Sequence, residues 1–325
     1  MLRVFCPDCD PPLQDVAAGA PLPAGAVWLD LLNPTAAEDA AVEALTGAQV
    51  PTAEDMAEIE TSSRLYVENG VITITASVAT GLITEQPEIV PVSFLLTGRH
   101  LVTVRYAEVR SFDRFVAHAE RQPMLCTTPA GAMMNLVDAI VDRLADGLEH
   151  IGREVDRISA QAFRRAGLSA RQQRVSNLAL QALLSRLGAA QDALSKARES
   201  AVSLNRALSF LLFAAPRDAG VAAQIKTQLR DVAALSDQAS FIGSNLTFLL
   251  DATLGLISIE QNAVLKIFSV SALVFMPPTL VAGIYGMNFT HMPELQWTLG
   301  YPLAIVLMLV AAVAPYAFFR WRGWL

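Results

Sequence analysis

Between Asp237 and Asn262 the chain repeats one pattern: Asp237, Ser240, Ser244, Thr247, Asp251, Gly255, Ser258 and Asn262, every member small or polar, at gaps of three or four. On a helix that spacing puts the whole series on one face. Oxygen-bearing side chains in a line suit the passage of a hard, hydrated cation, which prefers oxygen ligands. The same stepping continues through Ser269, Ala272, Met276, Thr279 and Gly283. Phe241, Leu246, Leu249, Leu250, Leu254, Ile257 and Ile259 are the large apolar residues expected on the opposite positions. A surface helix facing bulk water would show a similar stripe. Its continuation into a membrane segment, where there is no bulk water, favours a pore lining.

Other chemistries find less support. Cys6-Pro7-Asp8-Cys9 is a lone CxxC without a partner pair, which argues against a zinc site. His100, His118, His150 and His291 have no ligand spacing. No Gly-rich phosphate loop, nucleophile elbow or metalloprotease helix is present, so an enzyme has no site to use. The net charge is −7 and there is no basic run, which excludes nucleic acid as a partner. Three cysteines give no disulfide framework. Met1 to Leu13 has no apolar core of a signal peptide, so the first part of the chain is expected in the cytosol with reduced thiols.

The elements that must position the stripe are two apolar segments. The chain is 53% hydrophobic and 17% charged, high and low for a soluble protein. Leu265 to Ile284 carries only Lys266, near its start, and Tyr301 to Phe319 carries no charge. A charge at a helix centre in lipid costs about 2.5–3.5 kcal/mol, and a span needs about 20 mainly apolar residues. Both segments qualify. Lys266 precedes the first span, Arg320 and Arg322 follow the second, and Met287 to Leu299 holds no Lys or Arg. Positive charge therefore places both termini in the cytoplasm and the short loop outside. Glu294 is the one charge in that loop, where copies of it would attract cations. Two spans per chain are too few to enclose a water path, so several copies must assemble around the stripe.

Between the spans stands Tyr285-Gly286-Met287-Asn288-Phe289, followed by Met292-Pro293-Glu294-Leu295. Gly300-Tyr301-Pro302 opens the second span and Arg320-Trp321-Arg322-Gly323-Trp324-Leu325 follows it. With Gln261-Asn262, Lys266, Met276-Pro277, Thr279 and Ala282-Gly283, this stretch from Asp251 to Leu325 resembles the CorA family of magnesium channels. The chain departs from the family pattern at Pro278, which follows Pro277 where a leucine is usual. The resemblance implies a homopentamer in the inner (plasma) membrane, the first span lining the pore and the second outside it. It also implies that Gly286, Met287 and Asn288 form the ion-selectivity filter. An isolated Asn at a helix end reads as a C-cap; in this motif, a ring of Asn288 amides touches the hydrated metal ion through neutral oxygens. Gly286 is expected to let the backbone turn tightly at the mouth. Asp251, Ser258, Asn262, Thr279 and Gly283 are expected to line the pore, with Asp251 and Asn262 as inner polar rings. Met276 and Phe268 look like the family's apolar constrictions, and for Phe268, which lies off the stripe, that role rests on the resemblance alone.

The expected fold is an α+β cytosolic domain followed by long α-helices and two transmembrane helices. Residues 1–130 read as the α/β domain. Within it Ala26 to Leu31 is a strand, and Thr35 to Leu45 is a helix with Thr35 and Glu38 as a capping box and Gly47 as its end. Pro51 to Glu60 is a second short helix. Arg64 to Glu68 and Val71 to Ala79 form a hairpin around Asn69-Gly70. Val90 to Leu96 and His100 to Tyr106 form another, and Ser111 to Gln122 is a helix. The strands should make a mostly antiparallel sheet of four or more. Residues 131–215 read as an antiparallel helical hairpin. Its first helix, Met133 to Phe163, buries Leu136, Ile140, Leu144, Leu148, Ile151, Val155 and Ile158. Its second, Arg171 to Ala214, uses Val175, Leu178, Ala182, Leu183 and Leu187. Residues 216–263 are a stalk helix, beginning near Arg217 and running unbroken into the membrane. With its span it makes about seventy residues, a rod of about 100 Å. Residues 264–325 are the transmembrane region, with spans at about 264–286 and 300–319 and an outer loop at 287–299.

Together these readings predict a channel for divalent cations, foremost Mg²⁺ and then Co²⁺ or Ni²⁺. A zinc-type member of the superfamily and a non-conducting membrane tether are the alternatives. The partners are the lipid bilayer and further copies of the chain. No cofactor is expected beyond the transported ion, apart from a regulatory Mg²⁺ of the kind the resemblance implies, for which Asp218, Asp231 and Asp237 are candidates.

Overall fold

The computed structural model describes the chain except residues 18, 59, 85, 167–175, 215–218, 288–291, 293–296 and 324–325, with the side chains of 61, 164–166, 176–179 and 260 also left undescribed. It divides into two compact units, Met1–Leu250 and Asp251–Leu325.

The first unit is built on a seven-stranded sheet. Its strands are β1 (Leu2–Phe5), β2 (Leu13–Val16), β3 (Trp28–Leu32), β4 (Leu65–Glu68), β5 (Val71–Thr80), β6 (Glu88–Leu96) and β7 (Leu101–Arg105), in the order β2-β1-β3-β7-β6-β5-β4. Only the β3–β7 pair is parallel, so the sheet is mostly antiparallel as expected. Both faces of its centre are covered, so β3 and β7 are buried along almost their whole length. Leu29, Leu31, Val102 and Val104 point to one face, where they pack with Val42 of α1 (Ala36–Thr46) and Met56 of α2 (Ala53–Ala57). Trp28 lies on the other face, its ring 5.0 Å from that of Phe115 on α4 (Arg110–Arg121).

That second face also holds an ion pair with almost no access to water. Arg105 donates to Asp30 through Nη2 at 2.7 Å and Nε at 3.2 Å. Thr103 donates to Asp30 Oδ1 at 2.7 Å and accepts from Trp28 Nε1 at 3.0 Å. The guanidinium lies over the Phe112 ring, 4.5 Å from its centre. No atom of the cluster is among the fully buried side-chain atoms that lack a partner, the condition under which a charge is tolerated at such depth.

Local chemistry sets the element ends. Thr35 caps α1, its hydroxyl accepting from Glu38 N while Glu38 accepts from Thr35 N at 2.8 Å, and Gly47 closes the helix at φ 70. Thr52 and Asp55 repeat the box on α2, which is shorter than the expected Pro51 to Glu60. A further short helix, α3 (Thr61–Arg64), leads into β4. Asn69 (φ 51) and Gly70 (φ 80) are both left-handed, as the two-residue turn between β4 and β5 requires.

The first residues add two strands to those expected and correct one expectation. Strands β1 and β2 lie in a stretch where Pro, Cys and Asp hide the alternation; pairing of β1 with β3 supplies what local pattern does not. Cys6 and Cys9 are joined in a disulfide, against the expectation of reduced thiols. The turn after β1, closed by Cys9 N donating to Cys6 O at 3.1 Å, holds their Cα atoms 5.4 Å apart, within reach of such a bridge.

Three long helices follow: α5 (Pro129–Ala166), α6 (Ser176–Ala214) and α7 (Ala219–Tyr285). All seven residues expected on the inner face of α5 are buried. On α6, Leu183 and Leu187 are buried but Ala182 is exposed; the buried stripe runs instead through Leu180, Ala190, Leu194, Ala197 and Leu204. Val175 and the Leu178 side chain fall outside the description. Arg186 of α6 meets Glu154 of α5 at 2.6 Å. Later on α6, Ser200 reaches Ala79 of β5, beside which Ile140 of α5 also lies. The two helices therefore run antiparallel. In this unit α7 buries Ile225, Val232, Ala239, Ile242, Leu246 and Leu249, again at steps of three, four or seven.

The second unit holds the rest of α7 and α8 (Gly300–Trp321). Both helices are long and apolar enough to cross a membrane, and in each the most apolar stretch is entirely unburied. Phe275 is 70% exposed and Leu309 61%. Helix α7 continues through Pro277 and Pro278. Proline has no N–H, so the carbonyls of Leu273 and Val274 lose their usual helical donors.

Candidate functional site

The polar stripe lies on α7. In the first unit Asp237, Ser244 and Thr247 are exposed and Ser240 is half-buried, while Ile242, Leu246 and Leu249 on the opposite side are buried. In the second unit Asp251, Gly255, Ser258, Asn262, Ser269, Ala272, Met276, Thr279, Gly283 and Met287 are all exposed. At 3.6 residues per turn these positions share one side of the helix in each unit's part of α7. Phe268 is set off by about a quarter turn and shares a flank with Leu254 and Phe275.

The hydroxyls of the stripe, Ser258 apart, have a common geometry. Ser240 donates to Ser236 O at 3.0 Å, Ser244 to Ser240 O at 3.1 Å and Thr247 to Gly243 O at 3.1 Å. In the second unit Ser269 donates to Leu265 O at 2.9 Å and Thr279 to Phe275 O at 2.7 Å. Each proton is committed to the preceding turn, which leaves the oxygen lone pairs as acceptors facing outward. A hydrated cation presents water hydrogens at its surface, so a wall of acceptors matches it.

The apolar residues do not all sit opposite, as the spacing had suggested. Leu246 and Leu249 are buried, but Phe241 is 67% exposed, Leu254 50% and Ile259 65%. In the first unit Phe241 and Phe248 flank one side of the stripe and Leu250 the other; in the second unit Ile259 flanks one side and Leu254 the other. Phe163 of α5 stacks on Phe248 at 6.2 Å and covers only part of its ring. The signal was present in the sequence, in Phe241 and Phe248 standing next to Ser240 and Thr247, but a two-face reading of the helix hid it.

At the end of α7, Gly286 N donates to Ala282 O at 2.9 Å and Met287 N to Ile284 O at 3.2 Å. Gly286 lies in the turn that follows the last helical residue, Tyr285, without a left-handed φ. A Cβ there would stand 3.0 Å from the Ala282 carbonyl oxygen, closer than side chains ordinarily come. Met287, Gly283, Thr279, Met276 and Ala272 line one open groove along the end of α7. Asn288 and Glu294 lie outside the described residues, as does Asp218. Asp231 and Asp237 are exposed, and among the described residues no three His, Cys, Asp or Glu side chains converge on a metal position. At the far end of α8, Arg320 reaches the Tyr316 hydroxyl at 3.3 Å and Arg322 lies over Phe318, 5.7 Å from the ring centre.

A sheet domain, long helices and two unburied apolar helices with a polar stripe on one of them define a membrane protein of the transport class. The comparisons name the family. The family model described as "CorA-like Mg2+ transporter protein" matches residues 23–321. The "Magnesium transport protein CorA" of Escherichia coli (strain K12) is 33% identical over 300 residues, 92% of this chain and 92% of that one. Its counterpart in Salmonella typhimurium (strain LT2) matches with the same identity and coverage. Among solved structures, the complete CorA magnesium transporter from Methanocaldococcus jannaschii superposes with a TM-score of 0.75 at 16% identity, covering 100% of this chain and 99% of that one. The ZntB cytoplasmic domain from Vibrio parahaemolyticus gives 0.56 at 11% identity over 79% of this chain and 97% of its own. The chain belongs to the CorA family.

Proposed function

We propose that this chain forms a homopentameric channel that carries divalent cations, foremost Mg²⁺ and then Co²⁺ or Ni²⁺, across the inner membrane into the cytosol. The observation that carries this reading is the three-sided character of α7 in the first unit. There its buried side packs on its own protomer, its acceptor stripe is exposed, and apolar residues stand on both flanks of the stripe, Phe241 and Phe248 on one and Leu250 on the other. A helix in a closed ring meets one neighbour with each flank and turns the sector between them to the axis. Family membership supports magnesium as the cargo, since the bacterial relatives are named magnesium transport proteins.

In this reading Asp251, Ser258, Asn262, Thr279 and Gly283 line the path, and Met276 and Phe268 form apolar rings that gate by dewetting. Gly286, Met287 and Asn288 form the filter, where neutral amides bind the first-shell waters of an ion that dehydrates reluctantly. Glu294 raises the cation concentration outside. Lys266, Arg320 and Arg322 hold both termini in the cytosol. Carboxylates on the cytosolic part of α7, such as Asp231 and Asp237, are candidates for regulatory Mg²⁺. The test is ion uptake by liposomes holding the purified protein. Mg²⁺ influx down its gradient is expected. Zinc uptake without magnesium uptake would contradict the assigned cargo, and no flux of any divalent ion would contradict the channel.

A further inference from the structure

The geometry points to a second site: a cavity in the first unit, between α6 and β5, that binds a phosphate-bearing small molecule through Arg64, Arg198 and Arg206. Its origin is a shortened strand. β4 pairs with β5 only from Val71 to Ile74, so the amide edge of β5 beyond that point has no strand beside it. Helix α6 takes the strand's place: Ser77 N donates to Ser203 Oγ at 2.8 Å and Ala79 N to Ser200 Oγ at 3.1 Å. A helix cannot follow a strand edge closely, and a cavity of about 440 Å³ remains. That volume is in the range of small-molecule sites.

Its lining is basic in a protein of net charge −7. Three arginines face one carboxylate, Glu199, with Ser77, Ser195 and Ser203 between them. Arg64 donates through Nη2 to Ser77 Oγ at 3.1 Å, but its Nε is buried and has no acceptor among the described residues. A buried guanidinium N–H without an acceptor is costly and calls for an oxygen from elsewhere. Arg198 and Arg206, about two turns apart on α6, form no ion pair among the described residues. Guanidinium forks match phosphate oxygens two at a time, and serine hydroxyls add further donors. A diphosphate group satisfies these demands, whether it belongs to a nucleotide or to inorganic pyrophosphate.

The experiment is equilibrium binding to the full-length, detergent-solubilised protein in EDTA, so that no metal bridges the anion. Pyrophosphate should bind saturably, one per protomer, and more weakly as salt rises. The variant Arg198→Gln/Arg206→Gln, at two exposed positions, should keep its oligomeric state and melting temperature yet bind about tenfold or more weakly, as loss of charge-assisted contacts implies. Arg121→Gln, on α4, should bind as the wild type does. Tighter binding of ADP than of pyrophosphate assigns the site to nucleotides, and equal binding assigns it to the diphosphate itself; either supports the proposal. Absence of pyrophosphate binding, or equal binding by the double variant, or equal loss in Arg121→Gln, overturns it. None of these readouts involves ion flux, so the result stands apart from the channel assignment.

Discussion

Asp30 is almost fully buried, and Arg105 is held to it by two hydrogen bonds. Removing one charge would strand the other where water cannot reach it. Asp30→Ala is therefore expected to cost about 3–5 kcal/mol, read as a lowered unfolding transition of the purified protein. Exchanging both residues for apolar ones of similar volume should recover most of the loss, because no charge is then left alone. Cys126 offers a second residue-scale test. Burial pushes its thiol up to about 12, above the ordinary range. The unfolded chain ionises there first, so above about pH 8.5 the folded state gains nothing while the unfolded state does. Stability should fall by about 2 kcal/mol between pH 8.5 and 10 through this group. Cys126→Ser should show a smaller fall over the same range. The native thiol should also resist a maleimide that labels it rapidly after unfolding.

At the scale of elements, Gly81 closes the exit from β5 at φ 70, and a Cβ there would press into the backbone carbonyl of Gln86. Neither the dihedral nor the neighbour can yield cheaply, so Gly81→Ala should destabilise by about 1–3 kcal/mol. At Gly47, which is also left-handed but has open space, alanine should cost less. These elements differ in how far the sequence disclosed them. Where a signal was local it was legible: the Thr35–Glu38 box, the Asn69-Gly70 turn, and the apolar stripe of α5 can each be read from a few adjacent residues. β1 and β2 were not legible, because their strand character comes from a partner far along the chain. The three-sided face of α7 was half legible. Spacing gave the polar stripe and the buried side, but only a structure separates Leu246, which is buried, from Leu254, which is exposed. The basic cavity under α6 had no local signal, since Arg64 and Arg198 are brought together by the absence of a strand. Asn288 and Glu294 are legible only in the motif.

For the whole molecule, the proposed assembly is tested at what α7 leaves uncovered. Cysteines at Ser244 or Ser258 should crosslink between subunits around the axis. A cysteine at Leu254, on a flank, should crosslink to a neighbour as well, whereas one at Leu246 should not, being packed against its own protomer. A monodisperse monomer by mass measurement would remove the pore. The central claim, that a ring of Asn288 amides selects a hydrated Mg²⁺, is tested most directly by Mg²⁺ uptake into liposomes with Asn288→Ala. At a helix C-cap the change should cost at most about 1 kcal/mol of stability and leave flux intact. At a filter it should abolish Mg²⁺ uptake while the oligomer persists, and Asn288→Asp should hold the ion too strongly for rapid exit, because its clustered carboxylates add charge to the same oxygens. Loss of uptake from an assembled Asn288→Ala protein is the result expected; uptake at the wild-type rate from that protein would contradict the account.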